Sequence, residues 1–443
     1  MAEVVGRSSE PETASIEGVS HDGRGIAAIR GKKVFVAGGL RGETVRIRRR
    51  RRRRHFDEAE LLDVIEPSPA RIEPRCAAFG VCGGCALQQL PGSGQRAIKF
   101  EALKETMARI GGLTPERWLP PIFDGKGEWV YRRRARLAVK DVPAKGRVLV
   151  GFRERHAPFV TDMVRCEVLA SPLDGLIVDL GELIGGLSIR RRVPQIEAAV
   201  GDNAAELVFR VLDPPTPGDE ARMVRFGEAK SIRIALQPGG PDSVRPLYPQ
   251  ATAPLYYELP DWGLRLNFEA TDFVQVNGPV NRRMIAAAVD LLCSEGSHRV
   301  LDLYCGIGNF SLPLARRTGF VLGIEGEARM TARARANAAA NGIDNCTFRS
   351  ADLAAIDGRE DWLGERWDRV LLDPPRSGAA AVVQALPRTG AGRVVYLSCH
   401  PATLARDAAL LVREGAYRLE AAGIIDMFPH TARVEAIAVF AKT

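Results

Sequence analysis

The chain has 443 residues, 46% of them hydrophobic and 26% charged; that suits about three folded domains and excludes global disorder, a collagen-like repeat or a coiled coil. No run approaches the roughly 18–20 uninterrupted apolar residues of a membrane span, and the polar start from Met1 to Glu12 does not read as a secretory leader, so the cytosol is the expected compartment. The net charge is +8, with 53 Arg and only 9 Lys, and the eight cysteines of a cytosolic chain are expected to be reduced, which leaves metal ligation, catalysis or burial for them.

Residues 1–15 read as a loose tail. From Ser15 to about Ile65, short strands alternate with turns: Val34-Phe35-Val36 before Ala37-Gly38-Gly39, then Glu43 to Arg48, then Leu61-Leu62 and Val64-Ile65. This predicts a small β-barrel, closed off by Pro67-Ser68-Pro69. Residues 71–92 form a Cys- and Gly-rich loop, and 96–112 a helix with Ile98, Leu103, Met107 and Ile110 near one face. Val130 to about Leu259 reads as mostly β. From about residue 266 apolar strands (Arg299 to Tyr304, Val321 to Glu325, Val370 to Asp373, Arg393 to Ser398) alternate with helices, one of them running from Glu327 to Asn341 with Gly342 as its stop. The expected fold class is α/β, with a doubly wound C-terminal domain over 266–443, a β-rich middle over 71–265 and the barrel over 1–70.

Residues 41–54 hold nine arginines (Arg41, Arg46 and Arg48 through Arg54) against one acid, Glu43. Basic side chains protect an edge strand, but seven in succession exceed that need. Such a field attracts polyanions, and RNA or DNA is the expected partner.

Cys76, Cys82 and Cys85 lie among Gly80, Gly83 and Gly84, with Cys166 about 80 residues on. Three close thiols and a distant fourth suit a tetrahedral metal or a cubane cluster, and spacing alone does not separate zinc from [4Fe-4S].

Val300-Leu301-Asp302-Leu303-Tyr304 runs into Cys305-Gly306-Ile307-Gly308-Asn309-Phe310, and the next strand ends at Glu325. A strand, a Gly-rich turn and an acid 17–20 residues on fit a nucleoside cofactor, the acid accepting from the ribose hydroxyls. The third glycine of a dinucleotide fingerprint is missing, which favours the phosphate-free S-adenosylmethionine over NAD or FAD. Asp352, after the following strand, suits the adenine amino group.

Asp373-Pro374-Pro375-Arg376 makes a rigid loop after an apolar strand, and Tyr396-Leu397-Ser398-Cys399 ends another strand at the same edge. A thiol at a strand tip beside a polar loop suits a nucleophile, and Glu435, near the C-terminus, suits a base. A thiolate, a carboxylate and a methyl donor together fit methylation at carbon 5 of a pyrimidine: addition at carbon 6, methyl uptake at carbon 5, then removal of the carbon 5 proton. A base within folded RNA must be extruded to reach such a site.

These segments make the sequence resemble the RNA uracil-5-methyltransferase family, in particular its iron-sulfur branch that modifies 23S ribosomal RNA. The resemblance implies an RNA-binding TRAM barrel, a [4Fe-4S] cluster on Cys76, Cys82, Cys85 and Cys166, and a central domain carrying it. It implies that a segment near 93–125 packs on the catalytic domain. Phe273-Val274-Gln275-Val276-Asn277 resembles the family's Phe-x-Gln-x-Asn segment, placing Gln275 by the cofactor. Tyr304, Gly306, Gly308, Asn309, Glu325, Asp352 and Asp373 fall at further cofactor positions, Cys399 at the nucleophile and Glu435 at the base. His400 and Arg433 depart from the family's usual Asn and His. The expected enzyme is cytoplasmic and monomeric, with 23S ribosomal RNA as substrate. Transfer RNA, RNA cytosine-5 methylation and a non-catalytic RNA-binding protein are the competing readings.

Overall fold

The computed structural model describes residues 10–443 apart from 21, 252 and 294–296. Part of the expected N-terminal tail, residues 1–9, lies outside the described residues; the rest is not a tail, because Glu12 already opens a strand. The chain groups into two compact units. The first holds the described residues up to Ala102 with Phe152–Thr161 and Phe428–Arg433; the second holds Leu103–Gly151, Asp162–Met427 and Val434–Thr443.

In the first unit β1 (Glu12–Val19), β2 (Arg24–Ile29), β3 (Lys32–Ala37), β4 (Thr44–Arg52) and β5 (Phe56–Glu66) close into a barrel in the order β1-β2-β3-β5-β4. Alternation builds it: Val45 and Ile47 of β4 are buried with Ile16, Val34 and Val36, while Arg46 between them faces water. The arginine run splits by role. Arg46 pairs with Asp63, and Arg49 is held by Glu12 and by buried Asp57, each at 2.5 Å. Arg50 through Arg54 are exposed and form no ion pair among the described residues.

Residues 71–91 form a loop without helix or strand, and α1 (Gly92–Thr106) follows, ending in one wider π-turn over Met107–Gly111.

The second unit begins with β6 (Arg117–Trp118). A six-stranded mixed sheet then forms from β7 (Arg134–Val142), β8 (Arg147–Gly151), β9 (Gln195–Val200), β10 (Ala205–Arg210), β11 (Arg233–Gln237) and β12 (Arg245–Tyr248), in the order β12-β11-β10-β9-β7-β8. The middle is mostly β, as the pattern predicts, and two helices that the pattern does not mark also belong to it: α2 (Ile177–Gly185) and α3 (Pro217–Lys230). The α3 start was legible: Thr216 and Asp219 make a reciprocal capping box with Pro217 at the first helical position.

After the hairpin β13 (Leu255–Leu259) and β14 (Leu264–Phe268) comes the doubly wound region. It comprises α4 (Gly278–Leu292), β15 (Arg299–Leu303), α5 (Ser311–Ala315), β16 (Phe320–Glu325), α6 (Ala328–Ala340), β17 (Cys346–Ser350), α7 (Asp361–Gly364), β18 (Arg369–Leu372), α8 (Ala380–Ala385), β19 (Arg393–Ser398), α9 (Pro401–Arg413), β20 (Tyr417–Ile425) and β21 (Glu435–Lys442). The eight-stranded sheet runs β17-β16-β15-β18-β19-β21-β20-β6, parallel from β17 to β19, with β21 antiparallel to both neighbours. The segment before the middle sheet closes its edge: Arg117 and Trp118 pair with Ala421 and Ala422, and the Arg413 guanidinium donates to the Gly111 carbonyl at 3.1 Å. Among the described residues no helix is long and apolar enough to cross a membrane.

Candidate active site

The sheet order aligns most of the expected residues. Parallel strands β16, β15, β18 and β19 end at Glu325, Leu303, Leu372 and Ser398, and β21 begins at Glu435 on that same edge. Glu325, Tyr304, Asp373, Cys399 and Glu435 therefore form a row along the carboxyl edge, where open α/β sheets bind ligands.

The chain leaves β15 in a sharp turn. Tyr304 takes a left-handed backbone, φ +66°, costly for a side chain of its size. Gly308, at φ +93°, continues the turn where other residues would be strained. The Glu325 carboxylate reaches across to the loop, accepting the Gly306 N–H at 3.1 Å. Asn309 is fully engaged: its Oδ1 accepts from the Tyr257 hydroxyl at 2.8 Å and from Asn281 Nδ2 at 2.9 Å, and its own Nδ2 donates to Asn281 Oδ1 at 2.9 Å. Asp352 is exposed and caps the next turn through the Ala354 N–H. Gln275 lines a cleft with Arg133, Tyr257, Val274, Asn281 and Arg282. Its loop is held by buried Asp272, which pairs with Arg329 at 2.6 Å and Arg333 at 2.8 Å on α6.

This lining suits a cationic nucleoside. Burial first, then the Asp373 and Glu325 carboxylates, push buried Asp302 up to about 7, although Ser311 donates to it at 2.5 Å. Burial and Glu325 likewise push Asp373 up to about 7. Crowded carboxylates repel one another, and a cationic ligand would relieve that repulsion. Asp302, Tyr257 and Asn281 escaped sequence reasoning because nothing in their local pattern marks them; Asp302 reads as one more residue of a buried strand.

Ser398 pairs with Ala436 across β19 and β21, so Cys399 and Glu435 are the next residues outward on each strand. Burial, then Glu435 and Asp373, push the Cys399 thiol up to about 11, while Arg376 pulls it back. His400 follows as the N-cap residue of α9, its N–H donating to Ser398 Oγ at 3.1 Å.

A buried carboxylate ties the strand that leads to Cys399 to the Asp373 loop. Asp407 of α9 accepts from the Tyr396 hydroxyl at 2.6 Å and the Ala379 N–H at 2.7 Å, and its neighbour Arg406 donates to the Ser377 carbonyl at 2.9 Å. Gly378 passes so close that a β-carbon there would lie 2.5 Å from Asp407 Oδ2.

The first unit has its own cluster. Cys82 is buried and Cys76 and Cys85 are half-buried. The Gly84 N–H points at Cys82 Sγ at 3.4 Å, and the Arg155 guanidinium donates to the Cys85 carbonyl. Burial pushes the Cys82 thiol up, and against it the Gly84 amide at the sulfur and the nearby Arg155 charge favour a thiolate there. Among the described residues, however, no three His, Cys, Asp or Glu side chains converge closely enough to hold a metal ion. Cys166, buried, belongs to the second unit. Just beyond Cys85, the Ala86 and Leu87 N–H groups donate to the His430 carbonyl at 2.8 and 3.0 Å, and Gln95 Oε1 accepts the His430 N–H at 2.6 Å. The segment that precedes Glu435 in sequence is thus clamped by the cysteine loop and α1.

Comparison with known proteins identifies the family. A family model described as tRNA (Uracil-5-)-methyltransferase matches residues 258–443. The chain is 49% identical to a 23S rRNA (uracil(1939)-C(5))-methyltransferase of Alkalilimnicola ehrlichii, over 98% of this chain and 97% of that protein. It is 48% identical to the protein of the same name from Nitrosococcus oceani, again over 98% and 97%. Among solved structures it is similar to the Pyrococcus abyssi tRNA (uracil-54, C5)-methyltransferase in complex with S-adenosyl-L-homocysteine, with TM-score 0.74 over 97% of this chain and 99% of that one; at 23% identity this likeness is one of fold.

Proposed function

The chain belongs to the RNA uracil-5-methyltransferase family, and on that premise we propose that it transfers a methyl group from S-adenosylmethionine to carbon 5 of a uridine in 23S ribosomal RNA, at uracil 1939, the position for which its relatives are named. The observation that carries the mechanism is the opposition of Cys399 and Glu435 at the open end of the β19–β21 ladder.

Cys399 gives its thiol proton to solvent, the thiolate Sγ bonds to carbon 6, and the electron pair of the 5,6 double bond moves toward carbon 5. When bound, S-adenosylmethionine supplies the electrophilic methyl that carbon 5 takes up. Glu435 then removes the carbon 5 proton, the double bond re-forms, and the carbon 6–Sγ bond breaks. Burial and two carboxylates push the Cys399 thiol up, and Arg376 partly offsets them. Gln275, Tyr304, Gly306, Gly308, Asn309, Glu325, Asp352 and Asp373 are the residues we assign to the cofactor. The Glu325 and Asp373 carboxylates at the strand ends, in the field of fully buried Asp302, support that assignment.

We read Cys76, Cys82, Cys85 and Cys166 as ligands of a [4Fe-4S] cluster, supported by the thiol spacing, the Gly84 amide and Arg155. A cluster with four protein ligands has no iron open to substrate, which suits a structural or RNA-contact role. The working enzyme is a cytoplasmic monomer acting on RNA.

Labelled S-adenosylmethionine and 23S ribosomal RNA from a strain lacking this chain test the reading. Nucleoside mass spectrometry should show 5-methyluridine at one mapped position. 5-Methyluridine in transfer RNA alone would change the substrate, and 5-methylcytidine would overturn the reaction. Iron and acid-labile sulfide content after anaerobic purification, lost in Cys82→Ser, tests the cluster separately.

A further inference from the structure

Strands β20 and β21 are joined by residues 426–434, and this connection carries the chain directly into Glu435, the first residue of β21. Its stem is set by sheet register, Ile425 pairing with Glu435. Its body, Phe428–Arg433, belongs to the first unit. Hairpin connections usually hold about two to five residues, so one of this length does not fix its own shape. Within it the Arg433 guanidinium stands 5.1 Å from the centre of the Phe428 ring, and Thr431 Oγ1 donates to the Phe428 carbonyl at 3.0 Å.

The rest of the hold comes from α1 and the cysteine loop. Gln95 and Lys99, one turn apart on the same face of α1, are both buried. Lys99 Nζ donates to the Phe428 carbonyl at 2.9 Å. Gln95 Oε1 accepts the His430 N–H at 2.6 Å, while its Nε2 lies 3.1 Å from His430 Nδ1 and donates to the Leu90 carbonyl at 2.8 Å. The Ala86 and Leu87 N–H groups, next along the chain from Cys85, donate to the His430 carbonyl. His430 itself takes a left-handed backbone, φ +66°, which a histidine keeps only where its surroundings over-determine it. Here its N–H, its carbonyl and its ring are all engaged.

We propose that Gln95 is a positioning residue for the elimination step: its amide fixes the left-handed turn at His430, and that turn fixes how the chain enters β21 with Glu435 in register with Cys399. The proposal rests on the reading of Glu435 as the base. A glutamine that only filled the core would cost stability when replaced and slow every step alike. A positioning glutamine acts on one step, because Cys399 and the cofactor lining follow other strands and only the base follows this loop. A general base must reach its proton within about 2.6–3.2 Å, and a misplacement of about 1 Å costs on the order of 100-fold.

Rapid-quench single turnover with methyl-labelled S-adenosylmethionine and 23S ribosomal RNA separates formation of the methylated covalent adduct from its decay to free RNA. In Gln95→Met the adduct should form at the wild-type rate and decay about 10- to 100-fold more slowly, with S-adenosylhomocysteine affinity unchanged. Gln95→Glu, which keeps an oxygen for the His430 N–H, should recover much of the decay rate. Hydrogen exchange in the peptide covering 426–435 should quicken in Gln95→Met, the direct sign that the loop is released. If Gln95→Met does not fold, Arg433→Ala, which removes an exposed side chain from the same loop, should show the same slowed decay. Wild-type decay or unchanged exchange in the variant that folds, or formation and decay slowed equally, would overturn the proposal and leave Glu435 as the base. The absence of an adduct in Glu435→Gln, on RNA that the wild type methylates, would overturn the base assignment and this proposal with it.

Discussion

Cys399 and Glu435 sit one residue beyond the Ser398–Ala436 pair, on neighbouring antiparallel strands. The two are 36 positions apart in sequence, yet the register alone makes them neighbours at the sheet edge. In the proposed mechanism one group adds and the other eliminates, so their variants should fail at different steps. Cys399→Ala should bind RNA and transfer no methyl. Glu435→Gln should add and methylate but not release, leaving a covalent RNA–protein adduct that survives a denaturing gel. Normal turnover by the first, or no adduct from the second on a substrate that the wild type methylates, would reassign the roles.

Burial and the same adjacency both act on the thiol's acidity. Cys399 is pushed up to about 11 by burial, then by Glu435 and Asp373. Alkylation of the Cys399 peptide by iodoacetamide, followed by mass spectrometry, should therefore be slow at neutral pH and rise only well into the alkaline range. Removing the Glu435 charge in Glu435→Gln should move that rise to lower pH, and Arg376→Ala should move it higher. An alkylation profile that ignores both substitutions would mean that neither charge acts on the thiol.

The cofactor lining carries its own pH dependence. Asp302 and Asp373 are raised to about 7 from an ordinary carboxyl value near 3.8. Their ionisation is unfavourable in the folded chain, so they cost stability as pH rises from the unfolded value to about 7, and the cost levels off above it. A sulfonium prefers the ionised site. S-Adenosylmethionine should bind more tightly as pH rises through about 7 and should release protons on binding below that pH. Calorimetry in buffers of different ionisation enthalpy reads that release directly. Asp302→Asn should reduce it; a proton count of zero across this range would show that the carboxylates are already charged.

Asp407 acts at one remove. It joins Tyr396, three residues before Cys399, to Ala379 beyond the Asp373 loop. Asp407→Asn should cost about 1–3 kcal/mol, the penalty for leaving a buried donor unmet. It should lower kcat more than it raises KM for either substrate, because the loop and the strand lose their common anchor. A lower melting temperature with unchanged kcat would leave Asp407 as a purely structural residue.

How much of this was legible in the sequence depended on the range of the interactions. The α/β pattern, the Gly306–Gly308 turn and the strand-end positions of Asp373 and Cys399 follow from local periodicity and from prolines that cannot continue a strand. Helix α2 was hidden because its apolar run, Ile177 to Ile184, carries no capping residue at its start. Helix α3 did show its capping box, but it lies among strands whose apolar alternation dominates the region. Asp407, Asn281 and Tyr257 act only through partners distant in sequence, so no spacing rule finds them. Asp352 accepts a local hydrogen bond from the Ala354 N–H and Glu325 one from across, from the Gly306 N–H, neither of which a motif foretells.

Asn309 shows what such distant partners do. Sequence reasoning marks it as a cofactor contact, yet its amide is already held by the Tyr257 hydroxyl and by Asn281. Burial pushes the Tyr257 phenol far up, so it stays a neutral donor at all working pH values. Tyr257→Phe removes that donor and keeps the ring that packs at 6.0 Å from Phe268. One neutral hydrogen bond contributes about 1 kcal/mol, so S-adenosylhomocysteine should bind about fivefold more weakly if the loss falls wholly on the ligand-competent loop. Asn281→Ala removes both amide hydrogen bonds and should exceed that loss. Titration calorimetry of the two variants at one pH decides it: unchanged affinity in both would mean that the Gly306–Gly308 turn holds its shape without Asn309, and that Asn309 is not the link between the β13–β14 hairpin and the cofactor.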